Sequence, residues 1–310
     1  MARRRRGRPV HGWLVVDKPT GKTSSQIVAI VKRMLDAQKA GHGGTLDPLA
    51  TGVLPIALGE ATKTVSYVMD GTKRYRFTLT WGEARDTDDS EGAIAAISDI
   101  RPSEDEIRAV LPDFTGVIDQ VPPDYSAIKI DGNRAYDLAR SGETLVMPSR
   151  SVRIDQIELA DVPEADQAVF EVACGKGTYM RSLGRDIALA LGTVGHISAL
   201  RRLAAGPFDE NQAISLESLE SLVHSAPPFA YLQAVESALD DIPALLLNPL
   251  QADHLRHGRP VRVSGPEGRP FVDVSCFDEG GVVCAMAEGR PVALARLVQG
   301  EIRPVRVLNV

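Results

Sequence analysis

The sequence predicts an α+β protein made of a large mixed domain and a small β domain. Three observations lead there. Near the start, a compact apolar run, a Lys-Pro turn and an amphipathic segment follow one another as strand, turn and helix. In the middle, Lys73 to Trp81 alternates with the two-residue period of a strand. At the end, the chain from Ile242 to Val310 carries short β-like runs, and about 70 residues can make a small independent domain. A chain of 310 residues, 44% hydrophobic and 25% charged, has the apolar content for both cores.

Taken in order, Arg3-Arg4-Arg5-Arg6-Gly7-Arg8 is a basic arm within residues 1–9. It suits a solvated tail, and equally a phosphate backbone, since guanidinium groups pair with phosphate oxygens. Gly12-Trp13-Leu14-Val15-Val16 reads as a buried strand ended by Asp17-Lys18-Pro19. Thr23, with Gln26 three residues on, fits a capping box, and Ile27, Ile30, Val31 and Met34 continue at helical spacing. In the strand Lys73 to Trp81, Tyr75, Phe77, Leu79 and Trp81 share one face. Arg85 to Gly92 is an acidic loop without EF-hand spacing and is expected to be a solvated turn. Ser103 caps a short helix to Leu111, with Glu106 completing its box.

Residues 122–148 interleave Lys129, Arg134 and Arg140 with Tyr125 and Tyr136. Such a mixture suits RNA, where rings stack on bases and cations meet phosphates, or else an ordinary surface hairpin and helix. Strands are expected over Val152 to Leu159, Ala168 to Cys174 and His196 to Leu203. Between the last two, Gly175 to Arg181 turns into a helix with Met180, Leu183, Ile187 and Leu191 inward and Gly192 at its end. Pro227-Pro228 and Glu236 to Asp241 mark a linker, so the domains run 10–235 and 242–310. In the second, Val261 to Val263, Phe271 to Cys276, Val282 to Met286 and Val305 to Val310 read as strands.

Charge is unevenly spread. The net charge of −6 hides ten Lys and Arg against two Asp and Glu in residues 1–40, and 25 against 39 in the rest. A basic front end on an acidic body suits a polyanionic partner. Cys174, Cys276 and Cys284 show no metal-ligand spacing, so no structural zinc, metal or cofactor is expected, and the odd count suits a reducing cytoplasm. No apolar run reaches the roughly 20 residues of a membrane span, and the Arg-rich start is not followed by the apolar core of a secretory signal.

The densest chemistry lies in Gly41-His42-Gly43-Gly44-Thr45-Leu46-Asp47-Pro48-Leu49-Ala50-Thr51-Gly52. Pro48 pushes Asp47 toward an extended conformation, so the carboxylate sits on a stiff, non-helical turn where it can be aimed. The apolar run Val53 to Leu58 can anchor that turn in a core. Local chemistry leaves two readings open, a structural turn with Asp47 as its capping residue, and an active-site carboxylate. Glycines at these positions are expected to let another backbone or a ligand come close.

The order of the motifs adds a resemblance. Asp17-Lys18-Pro19-Thr20-Gly21, Gly41 to Gly52, Lys73-Arg74-Tyr75, Tyr125 to Lys129, Gly175 to Arg181 and Leu200-Arg201-Arg202-Leu203 resemble, in sequence, the motifs of the bacterial TruB family of tRNA pseudouridine-55 synthases. The match runs over residues 10–205. The tail, best at Leu255 to Val261, resembles a short PUA-type RNA-binding domain.

The resemblance implies a pseudouridine-synthase fold, a mixed, mostly antiparallel sheet flanked by helices with a central RNA-binding cleft. Residues 122–148 would be its RNA-gripping insertion. It implies isomerisation of uridine 55 in the T-loop of tRNA, without metal, nucleotide or redox cofactor. Asp47 would be the catalytic carboxylate, as nucleophile or as base. Arg181 would pair with it, Tyr75 would stack on the target base, Tyr179 would buttress it and Leu200 would pack beneath. His42 would dock the flipped nucleotide, the glycines around Asp47 would leave room for its backbone, and Lys18 and Lys129 would hold phosphates. The implied partner is the tRNA T-arm, met by a cytoplasmic monomer with no obligate protein partner. A tRNA-binding or folding factor, and a guide-dependent synthase of the same superfamily, are the rival readings.

Overall fold

Nine strands form the main sheet of the protein, seen in a computed structural model that describes residues 7–125, 147–227, 230–262 and 278–310, with 129–130 and 133–134 as backbone alone. Across the sheet run β1 (Gly12–Lys18), β3 (Thr51–Leu58), β12 (Gly195–Ala205), β4 (Lys73–Trp81), β11 (Gln167–Cys174), β10 (Arg150–Glu164) and β7 (Gly116–Gln120). Two short strands attach to this path, β2 (Ala40–His42) to β3 and β13 (Phe208–Asp209) to β12. Every pairing is antiparallel except β3 with β12. Short hairpins join β5 (Glu83–Arg85) to β6 (Ile94–Ile97) and β8 (Lys129–Ile130) to β9 (Asn133–Arg134).

Among the described residues the α-helices are α1 (Ser24–Met34), α2 (Val65–Asp70), α3 (Glu104–Val110), α4 (Met180–Ala190), α5 (Leu216–Ser225) and α6 (Pro249–Arg256). Both expected capping boxes form, Thr23 with Gln26 before α1 and Ser103 with Glu106 before α3. Ile27 and Val31 of α1 and Leu183 and Ile187 of α4 share one core with Leu14, Leu54, Phe77 and Phe170 of the sheet. The other face of β1 and β3 is also covered, with Trp13, Val15, Val53, Phe208 and Val235 in a second cluster. That double cover explains the continuous apolar runs of β1 and β3, since a strand buried on both sides has no polar face to alternate with.

The terminal unit is a five-stranded sheet in the order β14 (Ala244–Leu246), β16 (Val282–Ala287), β17 (Arg290–Val298), β18 (Glu301–Val307) and β15 (Val261–Arg262), with α6 against it. The run Arg290 to Val298 was not anticipated as a strand, nor were α5 and α6. The expected strand Phe271 to Cys276, and Cys276 itself, lie outside the described residues.

The proposed linker needs correction. The Gln233 backbone exchanges hydrogen bonds with Trp13 at 2.8 and 2.7 Å, and Val235, Ala238 and Leu239 are buried. Glu236, Asp240 and Asp241 give this stretch its acidic look, but Gln233 pairs with the edge of β1 and Val235 and Ala238 pack in the cluster that holds Trp13 and Val15. The end of the chain returns to the same place. Leu308 joins the second cluster beside Trp13, the Lys63 ammonium donates to the Val307 carbonyl at 2.8 Å, and Asn309 N donates to Glu60 at 2.9 Å. No helix among the described residues is long and apolar enough to cross a membrane.

Candidate active site

Residues 43–50, between β2 and β3, form no regular element and are held by side chains from three directions. Ser24, at the start of α1, accepts from Leu46 N at 2.8 Å and donates back to Leu46 O at 3.1 Å. The Pro48 carbonyl accepts from Gly21 N at 2.8 Å and from the Lys18 ammonium at 3.1 Å, and Thr20 donates to Leu49 O at 3.1 Å. From β12, the Arg202 guanidinium donates to the Val53, Gly44 and Thr45 carbonyls at 2.7, 3.1 and 3.4 Å. Nothing repetitive holds this turn, so its shape depends on these donors.

The glycines do not leave room for a nucleotide at the two tightest positions, contrary to expectation. Gly52 has φ +95°, and a Cβ there would lie 2.3 Å from the Arg202 carbonyl oxygen. A Cβ on Gly43 would lie 2.8 Å from Val68 Cγ1. Close passage of β3 past β12, and of the turn past α2, requires these residues.

Asp47 points from this turn toward α4. Its carboxylate accepts two hydrogen bonds from Arg181, Nε to Oδ2 at 2.9 Å and Nη2 to Oδ1 at 3.1 Å. The Arg181 side chain is 5% exposed and that of Asp47 is 33% exposed, so the cation is buried while the carboxylate keeps an open side. A planar fork on two oxygens fixes the carboxylate in direction as well as place. Arg181 sits in the first turn of α4, where the macrodipole disfavours a cation. Compensation comes from the Thr87 and Tyr125 carbonyls, both at 3.0 Å, and from a second carboxylate, Asp89, at 3.7 Å. The helix start is set by Gln120, whose amide accepts from Tyr179 N at 2.8 Å and donates to Tyr179 O at 3.1 Å.

The acidic loop is therefore not a solvated turn. Asp89 is 4% exposed, Ile197 N donates to Asp88 O, and Ser90 N donates to Ile197 O. Asp88 meets Arg185 of α4 at 2.9 Å, and burial raises its carboxyl to about 6. The acidic residues that looked like hydration in the sequence are counter-charges for Arg181 and Arg185.

The other expected site residues divide. Tyr75 of β4 is half-buried and packs against the main core, which includes Leu200, Phe77, Leu46 and Ala50. Burial pushes its phenol up, and the nearby Arg202 pulls the other way. Leu200 is 7% exposed and pairs in register with Phe77, two residues from the Arg202–Tyr75 pair. Tyr179 caps α4, with the Arg150 guanidinium 5.8 Å from its ring centre. His42 is half-buried at the end of β2. Burial and then Arg202 lower its pKa, so the imidazole is neutral at neutral pH, and its Nδ1 is buried with no hydrogen-bond partner among the described residues.

Lys18 corrects the expectation most directly. It is 0% exposed, and its ammonium donates to the Pro19 and Pro48 carbonyls at 2.9 and 3.1 Å. Burial lowers it to about 8. It cannot reach an RNA phosphate and serves instead to tie β1 to the Asp47 turn. The Lys129 side chain lies outside the described residues, as does most of the insertion. Ser24, Asp89, Gln120 and Arg202 were not expected in the site. For Arg202 a signal existed, since two-residue alternation from Leu200 places it on the inward face. Among the described residues no three His, Cys, Asp or Glu side chains gather as a metal-binding set.

Comparison with known proteins agrees with this architecture. The chain superposes on a chain of a Cbf5–Nop10–Gar1 complex with a TM-score of 0.73 and 29% identity, over 97% of this chain and 84% of that one. A chain of an H/ACA RNP bound to a substrate RNA containing 2′-deoxyuridine gives 0.75 and 25%, over 100% and 92%. The fold, with its mostly antiparallel sheet and terminal β unit, is that of the pseudouridine synthases. Residues 32–180 match the N-terminal domain of the TruB family pseudouridylate synthases, and residues 181–240 match the tRNA pseudouridylate synthase B C-terminal domain. The tRNA pseudouridine synthase B of Gluconacetobacter diazotrophicus is 56% identical over 99% of this chain and 100% of its own length. That of Rhodospirillum rubrum is 53% identical over the full length of both. The chain belongs to the TruB family of pseudouridylate synthases.

Proposed function

We propose that this chain converts uridine 55 in the T-loop of tRNA to pseudouridine, with Asp47 as the catalytic carboxylate. The observation that carries the reading is the Asp47–Arg181 fork, a partly open carboxylate aimed by a buried guanidinium, with the Tyr75 phenol within electrostatic reach of that carboxylate. The N1–C1′ bond of the uridine breaks, the uracil turns, and a C5–C1′ bond forms to the same ribose. The C5 proton is lost and N1 gains one, so atoms and charge balance without an oxidant or reductant. Asp47 serves as nucleophile toward the ribose or as base for a ribose proton, and both roles need it ionised and fixed.

The target base leaves its stack to reach the site, at a cost of a few kcal/mol. Tyr75 then stacks on the base over the Leu200 side of the core, Tyr179 supports the pocket rim, and neutral His42 docks the flipped nucleotide by hydrogen bonding rather than by charge. Residues 10–235 supply the catalytic domain. Residues 242–310 supply a PUA-like RNA-binding domain, and Lys129, with the arginine arm, contacts phosphates. These contacts hold the RNA in register, and loop shape selects it.

The chain acts in the cytoplasm as a monomer on free tRNA without an obligate protein partner. Full-length identity above 50% to proteins named tRNA pseudouridine synthase B, against 25 to 29% to chains of H/ACA assemblies, favours this over guide-dependent action. The test is pseudouridine mapping in a bare T-arm stem-loop and in whole tRNA. Wild-type protein modifies both unaided, and Asp47→Asn modifies neither while still binding tRNA. Product from the Asn variant would overturn the assignment of Asp47, and failure of the wild type on both RNAs would overturn the proposed substrate.

A further inference from the structure

Arg202 is a deeply buried cation of the site whose hydrogen bonds go to backbone carbonyls and not to Asp47. It is 1% exposed, and among the described residues it forms no ion pair. Burying a guanidinium with no counter-charge is costly even where its donors are hydrogen-bonded. A cation kept in such a place needs a reason other than stability.

Geometry supplies one. The guanidinium donates to the Gly44 and Thr45 carbonyls, three and two residues before Asp47, and to the Val53 carbonyl after the turn. Its own Cα is in register with Gly52 of β3 on one side and Tyr75 of β4 on the other. One side chain therefore spans the turn that carries the carboxylate, and its strand lies beside the one that carries the stacking ring. Its charge also acts on Tyr75 and His42, lowering the pKa of each against or alongside burial.

We propose that Arg202 is a positioning residue for the isomerisation, a buried clamp that sets the Asp47 carboxylate relative to the Tyr75 ring. This rests on the proposed role of Asp47. Misplacing a reacting group by about 1 Å costs roughly 100-fold in rate. Lysine keeps the charge but loses the planar fork and cannot reach carbonyls on both sides of the turn together.

The experiment compares single-turnover pseudouridine formation, tRNA binding and thermal melting for wild type, Arg202→Gln, Arg202→Lys and Asp47→Asn. The expected result is a rate about 100-fold lower for Arg202→Gln and about 10-fold lower for Arg202→Lys, with the tRNA Kd within threefold of wild type for both. A structural role alone would lower the melting temperature and leave the rate of the folded fraction unchanged. If Arg202→Gln does not fold, Arg202→Lys decides, and a folded Lys variant with the wild-type rate overturns the clamp. A Kd raised in proportion to the lost rate also overturns it, because Arg202 would then act in binding. Activity in Asp47→Asn alongside a slow Arg202→Gln would overturn the Asp47 assignment and leave the rate effect of Arg202 standing.

Discussion

At the scale of single residues, the site is a set of charges whose burial decides their work. Arg181 and Lys18 are both cations placed by sequence motifs next to Asp47, yet only one faces the carboxylate. Arg181 presents two nitrogens to two oxygens and donates twice more to carbonyls, so it has one orientation. Replacing it by lysine keeps the charge but gives a point donor on a flexible stem. Arg181→Lys is expected to slow single-turnover pseudouridine formation about 100-fold with the tRNA Kd nearly unchanged. A rate within threefold of wild type would show that charge alone suffices. Lys18 was legible as a motif but not as a buried group, because nothing in Asp17-Lys18-Pro19 tells whether the side chain turns outward to a phosphate or inward to Pro48.

Elements were read more securely than loops. The strand Lys73 to Trp81 and the capped helices after Thr23 and Ser103 form as their spacing implies, since periodicity and capping are local properties. The loop Arg85 to Gly92 reads as a solvated turn in sequence and differs in the structure because its acidity is neutralised by Arg181 and Arg185, about 90 residues away on α4. That docking has a pH signature. The Asp88 carboxyl is raised from 3.8 to about 6 by burial, against the opposing pull of Arg185 and Arg181 and with Asp186 beside it. A raised carboxyl binds its proton more readily in the folded state, so its contribution to stability is present below about pH 4 and is lost as pH rises through 6. Asp88→Asn is isosteric and tolerates the positive φ of 61° found there. In the variant, the stability change between pH 4 and 7 should differ from wild type by ~2 kcal/mol, read from urea unfolding at both pH values. Parallel pH profiles would show that the loop carboxyl titrates as in water.

At the scale of the whole molecule, the two units share a seam. Leu308 is buried against Trp13 and Phe208, so the last strand of the terminal sheet is anchored in the core beneath β1. Leu308→Ala is expected to destabilise the protein by about 2–5 kcal/mol, the range for a buried leucine, with both units affected in one unfolding transition. Separate transitions with an unchanged first midpoint would mean that the seam carries no stability. The basic front end acts at this scale too. Deleting residues 1–8, which hold five arginines, should weaken tRNA binding and flatten its salt dependence by roughly 0.7–0.9 in log–log slope per lost phosphate contact. An unchanged slope would show the arm to be idle.

The sequence by itself determined the α+β class, the strands around Trp13, Phe77, Ile154, Phe170 and Leu200, the helices after Thr23, Ser103 and Tyr179, and the turn that carries Asp47. Those rest on residue periods, caps and a proline, all of which act within a few positions. Only the tertiary structure decided which charges meet. Arg181 reaches Asp47 across 134 residues, Arg202 reaches Gly44 across 158, and Asp89 reaches Arg181 from a loop that reads as hydrated. Side-chain orientation and burial are set by the sheet that brings β3, β12 and β4 side by side, and no local pattern records that order.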